Sequence, residues 1–255
     1  MTTFLNLTED LLYPEDDGNP MSESTEQYRW IVVLKENLEL LLRDRADVFI
    51  AADLAWYPVQ VQTPPAPCQA PDVMVVFGRS RGPRRSYLQW KEANVGPQVV
   101  FEILSASNKT RKGIEAMDYK FQFYEQYGVE EYYIYDPDEF TLEGWQRRGN
   151  QLVELPRMSG WVSPRLGIRF DWQPRQELVL YYPDGRQFSS FVEQGQQVEQ
   201  AQQQVAQERS RAEQAELTIQ AAVPRLLGLG LTVEQVASSL GLSVEWVEAI
   251  GDLQG

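Results

Sequence analysis

From Thr25 onward apolar residues recur every three to four positions. In EQYRWIVVLKENLELLLRD, Trp30, Leu34, Leu38 and Leu41 fall within one arc of a helix turning about 100° per residue. Glu26 and Asn37 lie at the edge of that arc and Glu36 and Glu39 face away from it, which makes Glu26 the helix acid best placed to look inward. The pattern then shortens. VFIAADLAWYP (48–58), DVMVVF (72–77) and VVFEIL (99–104) are brief apolar runs bounded by turn residues, with the proline-rich TPPAPCQAP and an arginine-rich connection between them. They read as consecutive strands of one sheet with a helix packed on it. Helical periodicity returns in IEAMDYKFQFYEQY (114–127) and stops at Gly128, and VEEYYIYDP (129–137) reads as a strand returning into the sheet. Hairpin signals follow at Gly149–Asn150 and Asp184–Gly185. The order predicts a mixed α/β core.

Beyond residue 190 the texture changes. Glu193 to Ala222 is rich in Gln, Glu and Ala, with Val198, Val205, Ala212 and Ile219 spaced by seven and Ala201, Glu208, Ala215 and Ala222 three residues after each. This is a thin heptad seam, interrupted by Glu208, and it predicts a long helix that pairs two copies or recruits a protein through residues 193–222. After Pro224, Thr232 and Ser243 are placed to cap two short helices separated by Gly241. The arrangement resembles a helix-turn-helix, but VEWVEAI carries two glutamates and no basic residue, which favours a protein-interaction or capping role over DNA reading. Residues 1–22 are acidic and punctuated by Pro and Gly, as in a loose arm. The chain therefore divides into a flexible acidic arm (1–22), an α/β domain (23–190), a coiled-coil helix (191–222) and a small helical tail (223–255).

Composition removes much of the available chemistry. The chain has no histidine and one cysteine, Cys68. Histidine general bases, Ser-His-Asp triads and zinc sites built on Cys or His are thereby excluded, as is a disulfide framework. The start, MTTFLNLTEDLLY, lacks the basic and long apolar regions of a signal peptide, and no run approaches membrane-spanning length, so the expectation is a soluble cytoplasmic protein without a membrane segment. The net charge of −14 is uneven: 12 acidic and 4 basic residues over 1–60, 16 of each over 61–190, and 9 and 3 over 191–255, giving −8, 0 and −6. The balanced middle holds two basic clusters, Arg79, Arg81, Arg84 and Arg85, then Lys109, Arg111 and Lys112. Such a chain would bind nucleic acid weakly and in a salt-sensitive way.

Within VVFEIL, strand alternation puts Val100, Glu102 and Leu104 on one face. An acid in such a run must be paired, metal-bound or at the sheet's end, because burying a lone carboxylate costs about several kcal/mol. Asp72, just after Pro71, is its natural partner, and two carboxylates on neighbouring strands make a hard oxygen site suited to Mg2+ or Mn2+. A lysine two residues after Glu102 would complete a metal-dependent nuclease, but that position is Leu104. Lys120 lies near the helix face of Met117, Tyr124 and Tyr127 and can point back over the sheet. The alternative is plainer: Asp72 makes turn hydrogen bonds, Glu102 pairs with an arginine, and Lys120 is solvated. Asp53 and Glu26 could support the site or be structural, Asp136 reads as a strand-ending turn residue, and Trp56, Tyr57, Tyr132, Tyr133 and Tyr135 read as core.

The run PDVMVVF, then VVFEILSASN, then KFQFYEQYGVEEYYIYDPD resembles the bacterial Uma-type endonuclease family of the PD-(D/E)XK nuclease superfamily. The resemblance extends from about Met21 through GWVSPRLGIRF (160–170). It implies a restriction-endonuclease-like α/β core and a Mg2+- or Mn2+-dependent endonuclease that hydrolyses DNA phosphodiester bonds. Asp72 and Glu102 would be metal ligands, the Ile103 carbonyl a further one, and Lys120 the displaced catalytic lysine. Two positions depart from the family pattern: Ala116 stands where many relatives carry an Asp four residues before the helix lysine, and Ala106 replaces a proline. The competing reading is a catalytically inactive nuclease-fold protein that acts through its coiled-coil tail. RNA stays beside DNA as a substrate, since nothing in the chain reads a 2'-hydroxyl.

Overall fold

The computed structural model describes residues 12–15 and 22–252, and the side chains of all of these except Gly251 and Asp252. Most of the acidic arm lies outside the described residues. Two compact units divide at residue 190.

The first unit is built on a six-stranded mixed sheet. Helix α1 (Thr25–Leu41) starts at Ser24, whose side chain accepts from the Gln27 N–H. Strands β1 (Val48–Ala51), β2 (Trp56–Tyr57), β3 (Val73–Phe77), β4 (Tyr87–Leu88) and β5 (Val99–Ile103) follow, then α2 (Arg111–Gln126). The unit continues with β6 (Glu131–Asp136), β7 (Thr141–Arg148), β8 (Gln151–Glu154), β9 (Arg169–Asp171) and β10 (Val179–Tyr181). The main sheet runs β1-β3-β5-β6-β7-β8. Within this sheet the β5–β6 pair is the parallel one, as their connection through α2 requires, and the short β2 and β4 pair in parallel outside it.

Strand β5 is buried on both faces, which explains its unbroken apolar run. Val99, Phe101 and Ile103 join the core under α1, with Trp30, Leu34 and Leu38. Val100 faces the other way, into a core with Phe123 and Tyr124 of α2 and Tyr132 of β6. Glu102 shares that second face.

Two elements of this unit differ from their sequence reading. The run 48–58 is two strands in two sheets, because Asp53 takes a left-handed backbone (φ 48°) that breaks the ladder. Helix α2 starts three residues earlier than its apolar periodicity, because Thr110 caps it by accepting from the Gly113 N–H at 3.1 Å. Both hairpin turns are where Gly149–Asn150 and Asp184–Gly185 place them, with Gly149 and Gly185 at φ 62° and 87°.

The second unit begins with α3 (Phe191–Gly228), which runs past the sequence-expected end and through Pro224. A proline inside a helix loses a hydrogen bond and crowds the preceding turn. Leu226 and Leu227, just beyond it, pack with Val223 against α4 (Val233–Leu240) and α5 (Val244–Asp252), which favours continuing the helix. Thr232 and Gln235 form a reciprocal capping box, Gly241 closes α4 at φ 67°, and Ser243 accepts from the Trp246 N–H at 3.3 Å. Val198 and Val205 of the heptad seam are exposed. Among the described residues no helix is long and apolar enough to cross a membrane.

Candidate active site

Sheet register brings the two acids together. Val73 pairs with Phe101, so Asp72, one residue before β3, stands opposite Glu102 in an antiparallel ladder, with both side chains on one face. Asp72 Oδ2 accepts from the Ile103 N–H at 2.6 Å. Both acids are buried, at 8% and 2% exposure. Desolvation, then the charge of Glu102, pushes the Asp72 pKa up to about 8, against the opposing pull of Lys120 and the Ile103 N–H.

Helix α2 supplies the partners of Glu102. Lys120 Nζ donates to Oε2 at 2.6 Å and the Tyr124 hydroxyl donates to Oε1 at 2.5 Å. The two residues are four apart, so one helix face presents both groups. Lys120 therefore occupies the place over the sheet that its helical phase assigns it. Tyr124 is wholly buried, and burial followed by the Glu102 charge holds its hydroxyl protonated, well above the ordinary phenol range. Sequence reasoning had placed Tyr124 on the face of Lys120 without giving it a role; the i, i+4 spacing was the available signal.

The other side of β5 is held by α1. Gln27 is buried and its Nε2 donates to the Ile103 carbonyl at 2.9 Å, which leaves that oxygen one further lone pair. Glu26, the acid expected to look inward, instead pairs with Arg29 at 2.5 Å and is part-exposed. One step of about 100° along the helix separates it from the inward position, and Gln27 takes that position. Glu23 does reach the site: its Oε2 accepts from the Ser105 hydroxyl at 2.7 Å, and hydrogen bonds from Ser107 and Ser105 hold its pKa below the ordinary range.

Asp53, Asp72, Lys120, Glu23 and Gln27 line one cleft of about 760 Å³, whereas Glu102 and Tyr124 are buried and do not line it. Asp53 adds to the charge that raises the Asp72 pKa. Asp136 sits elsewhere as a turn residue, its Oδ1 accepting from the N–H groups of Asp138 and Glu139 at 2.9 and 3.1 Å.

Most of the basic clusters are paired within the chain. Arg79 and Arg84 both meet Glu92, at 3.1 and 2.7 Å, and Arg81 meets Glu39 at 3.0 Å. Arg85 pairs with Glu15, Lys109 with Asp136 at 2.9 Å, and Arg111 with Glu115 at 3.1 Å.

Residues 18–176 match the Uma2 family, described as "Putative restriction endonuclease". The chain belongs to the Uma2 family. This membership covers the sheet, both flanking helices and every residue of the cleft from Glu23 onward. A solved structure similar to this Uma2 chain is titled "Crystal structure of a putative nuclease belonging to DUF820 from Anabaena variabilis ATCC 29413". It is 14% identical, spans 58% of this chain and 76% of its own, and gives a TM-score of 0.41. No curated protein matches the sequence.

The donors fit a hard divalent cation. Among the described residues no three carboxylate, thiol or imidazole groups cluster to enclose an ion. An ion here would rest on Asp72, Glu102, the Ile103 carbonyl and water. Mg2+ accepts such sites because it keeps several waters and takes one or two carboxylates. The observation in favour is geometric: Asp72 stands opposite Glu102 on one face of the sheet, beside the Ile103 backbone.

Proposed function

We propose that this Uma2 chain is a Mg2+- or Mn2+-dependent endonuclease that hydrolyses DNA phosphodiester bonds at the Asp72–Glu102–Lys120 cluster. The observation that carries the reading is the ammonium of Lys120 at 2.6 Å from Glu102, with Asp72 opposite Glu102 across the sheet. Asp72, Glu102 and the Ile103 carbonyl would hold the ion, which when bound would polarise a phosphate oxygen and lower the pKa of a water. Lys120 lines the cleft and would orient the attacking water and donate to the charge that develops on the phosphate. Tyr124 and Gln27 position rather than react, the first fixing the Glu102 carboxylate and the second the Ile103 carbonyl. Neutralisation of the basic clusters within the chain fits weak, salt-sensitive DNA binding. The exposed seam through Val198 and Val205 would pair two copies, and the composition fits a cytoplasmic setting.

The same neutralised clusters also favour a second reading, an inactive nuclease-fold protein that works through α3. Mn2+ titration followed by electron paramagnetic resonance separates the two. A live site binds Mn2+ at least tenfold more weakly in Glu102→Gln, whereas equal affinity in both proteins would leave only the inactive reading.

A further inference from the structure

Beside Glu23, Gln27, Asp53 and Asp72, the cleft lining comes in two chemically distinct sets. The segment leading into β3 contributes Tyr57, Pro64, Pro65, Ala66 and Cys68, which are largely apolar and stiffened by proline. The segment leaving β5 contributes Ser105, Ser107, Asn108, Thr110, Lys112 and Lys120, which are hydroxyl, amide and ammonium groups. Because β3 and β5 are antiparallel neighbours, the entering and leaving segments stand at the same end of the sheet, with Asp72 and Glu102 between them. Gly113 fixes the polar segment in place: a Cβ there would lie 2.1 Å from the Ser107 carbonyl, so only glycine lets that loop sit on α2.

A duplex presents phosphates on its outside and requires a broad cationic face, since its affinity comes from neutralising many phosphates at once. Here the arginine clusters that could form such a face are held by Glu92, Glu39 and Glu15. A single strand presents phosphates along one edge and base faces along the other, and proteins bind it with a cationic track beside apolar or aromatic surfaces. The cleft volume, about 760 Å³, lies within the range of roughly 300–1,000 Å³ that surrounds one compact ligand.

Resting on the nuclease reading above, we infer that the substrate is single-stranded: an unpaired strand, flap or frayed end threads the cleft. Its phosphates run along Thr110, Lys112 and Lys120 and its bases lie against the Pro64–Ala66 segment. Tyr119, exposed beside Lys120, lies on the same path and offers a further stacking face.

Cys68 is the chain's one cysteine and lines the apolar side, so its alkylation reports occupancy of the cleft without any need for turnover. The full-length protein would be treated with iodoacetamide at low salt in Ca2+, with (dT)12 or a 12-base-pair duplex, and modification followed by mass spectrometry. The expected result is at least tenfold slowing by the strand and less than twofold by the duplex. Lys112→Glu and Tyr119→Ala, both at exposed positions, should each abolish most of the protection by the strand. Equal protection by strand and duplex, or none by either, overturns the inference. In parallel cleavage assays with Mg2+ or Mn2+, faster cutting of the strand supports it, and duplex cutting at an equal or higher rate overturns it while leaving the nuclease reading intact. Protection by the strand with no cleavage of either substrate supports the strand path and overturns the nuclease reading.

Discussion

Replacing Asp72 with Asn should make the metal-free protein more stable. In the folded chain burial and the Glu102 charge raise the Asp72 pKa from 3.8 to about 8. The native state therefore holds this proton more tightly than the unfolded chain, and stability declines as pH rises from about 4 to about 8, at about 1.4 kcal/mol per pH unit. At pH 7 the interval above 3.8 is about three pH units, a penalty of about 4 kcal/mol. Asn has nearly the same shape and keeps a neutral acceptor for the Ile103 N–H, 2.6 Å from Asp72 Oδ2, as the protonated Asp72 does at pH 7. The net expectation is a gain of about 4 kcal/mol at pH 7. Urea unfolding in EDTA, followed by tryptophan fluorescence at pH 5.5 and 7.5, reads this directly. The advantage of Asp72→Asn should grow by about 3 kcal/mol between the two, since wild type alone loses stability over that interval. Adding Mg2+ should then stabilise wild type, by about 1.4 kcal/mol at ten times its Kd, and leave the variant unchanged. An Asp72→Asn protein no more stable than wild type at pH 7.5 would refute the picture of a buried acid whose ionisation opposes folding.

Other outcomes follow from neighbouring contacts. Tyr124→Phe removes a buried donor to a carboxylate and should destabilise by about 2 kcal/mol, lowering Tm by about 4–8 °C in a thermal melt; an unchanged Tm would mean that the hydroxyl carries nothing. Gly113→Ala must displace the Ser107–Asn108 backbone and should cost about 1–3 kcal/mol in chemical denaturation. Gly195→Ala, with open space around it in α3, should add about 0.5–1 kcal/mol to the helical unit, so the pair tests whether crowding or helix propensity decides. Arg84→Ala removes a bidentate partner of the part-buried Glu92 and a guanidinium 4.0 Å over the Phe49 ring, and should destabilise by about 2–3 kcal/mol, against near zero for the exposed Arg43→Ala.

How much of this was legible in the sequence depended on where the deciding force acts. Glu102 stood out because an acid inside an apolar strand needs a reason, and Asp72 because it opens the strand beside it. Lys120 could be placed from helical phase alone, since α2 packs with its apolar face on the sheet. Local rules also gave both hairpin turns and the Thr232, Gly241 and Ser243 caps. What failed depended on three-dimensional context. A left-handed Asp53 splits a continuous apolar run, and nothing in AADLAW announces it. The inward position on α1 falls to Gln27 rather than Glu26, a difference of one residue that the edge of an apolar arc does not resolve. Helix α3 crosses Pro224 because the packing of Leu226 and Leu227 outweighs a local penalty of about 3 kcal/mol. The arginine cluster stood in the sequence as basic charge in the balanced middle of the chain, and its partners, Glu92, Glu39 and Glu15, come from segments that only the fold brings to it.

The most direct test of the central claim is cleavage of supercoiled plasmid and single-stranded DNA at low salt with Mg2+ or Mn2+, comparing wild type with Glu102→Ala and Lys120→Ala. The account predicts metal-dependent cutting by wild type, lost in both variants while circular dichroism shows them folded. Cutting by either folded variant at the wild-type rate, or none by wild type on any substrate, would contradict it.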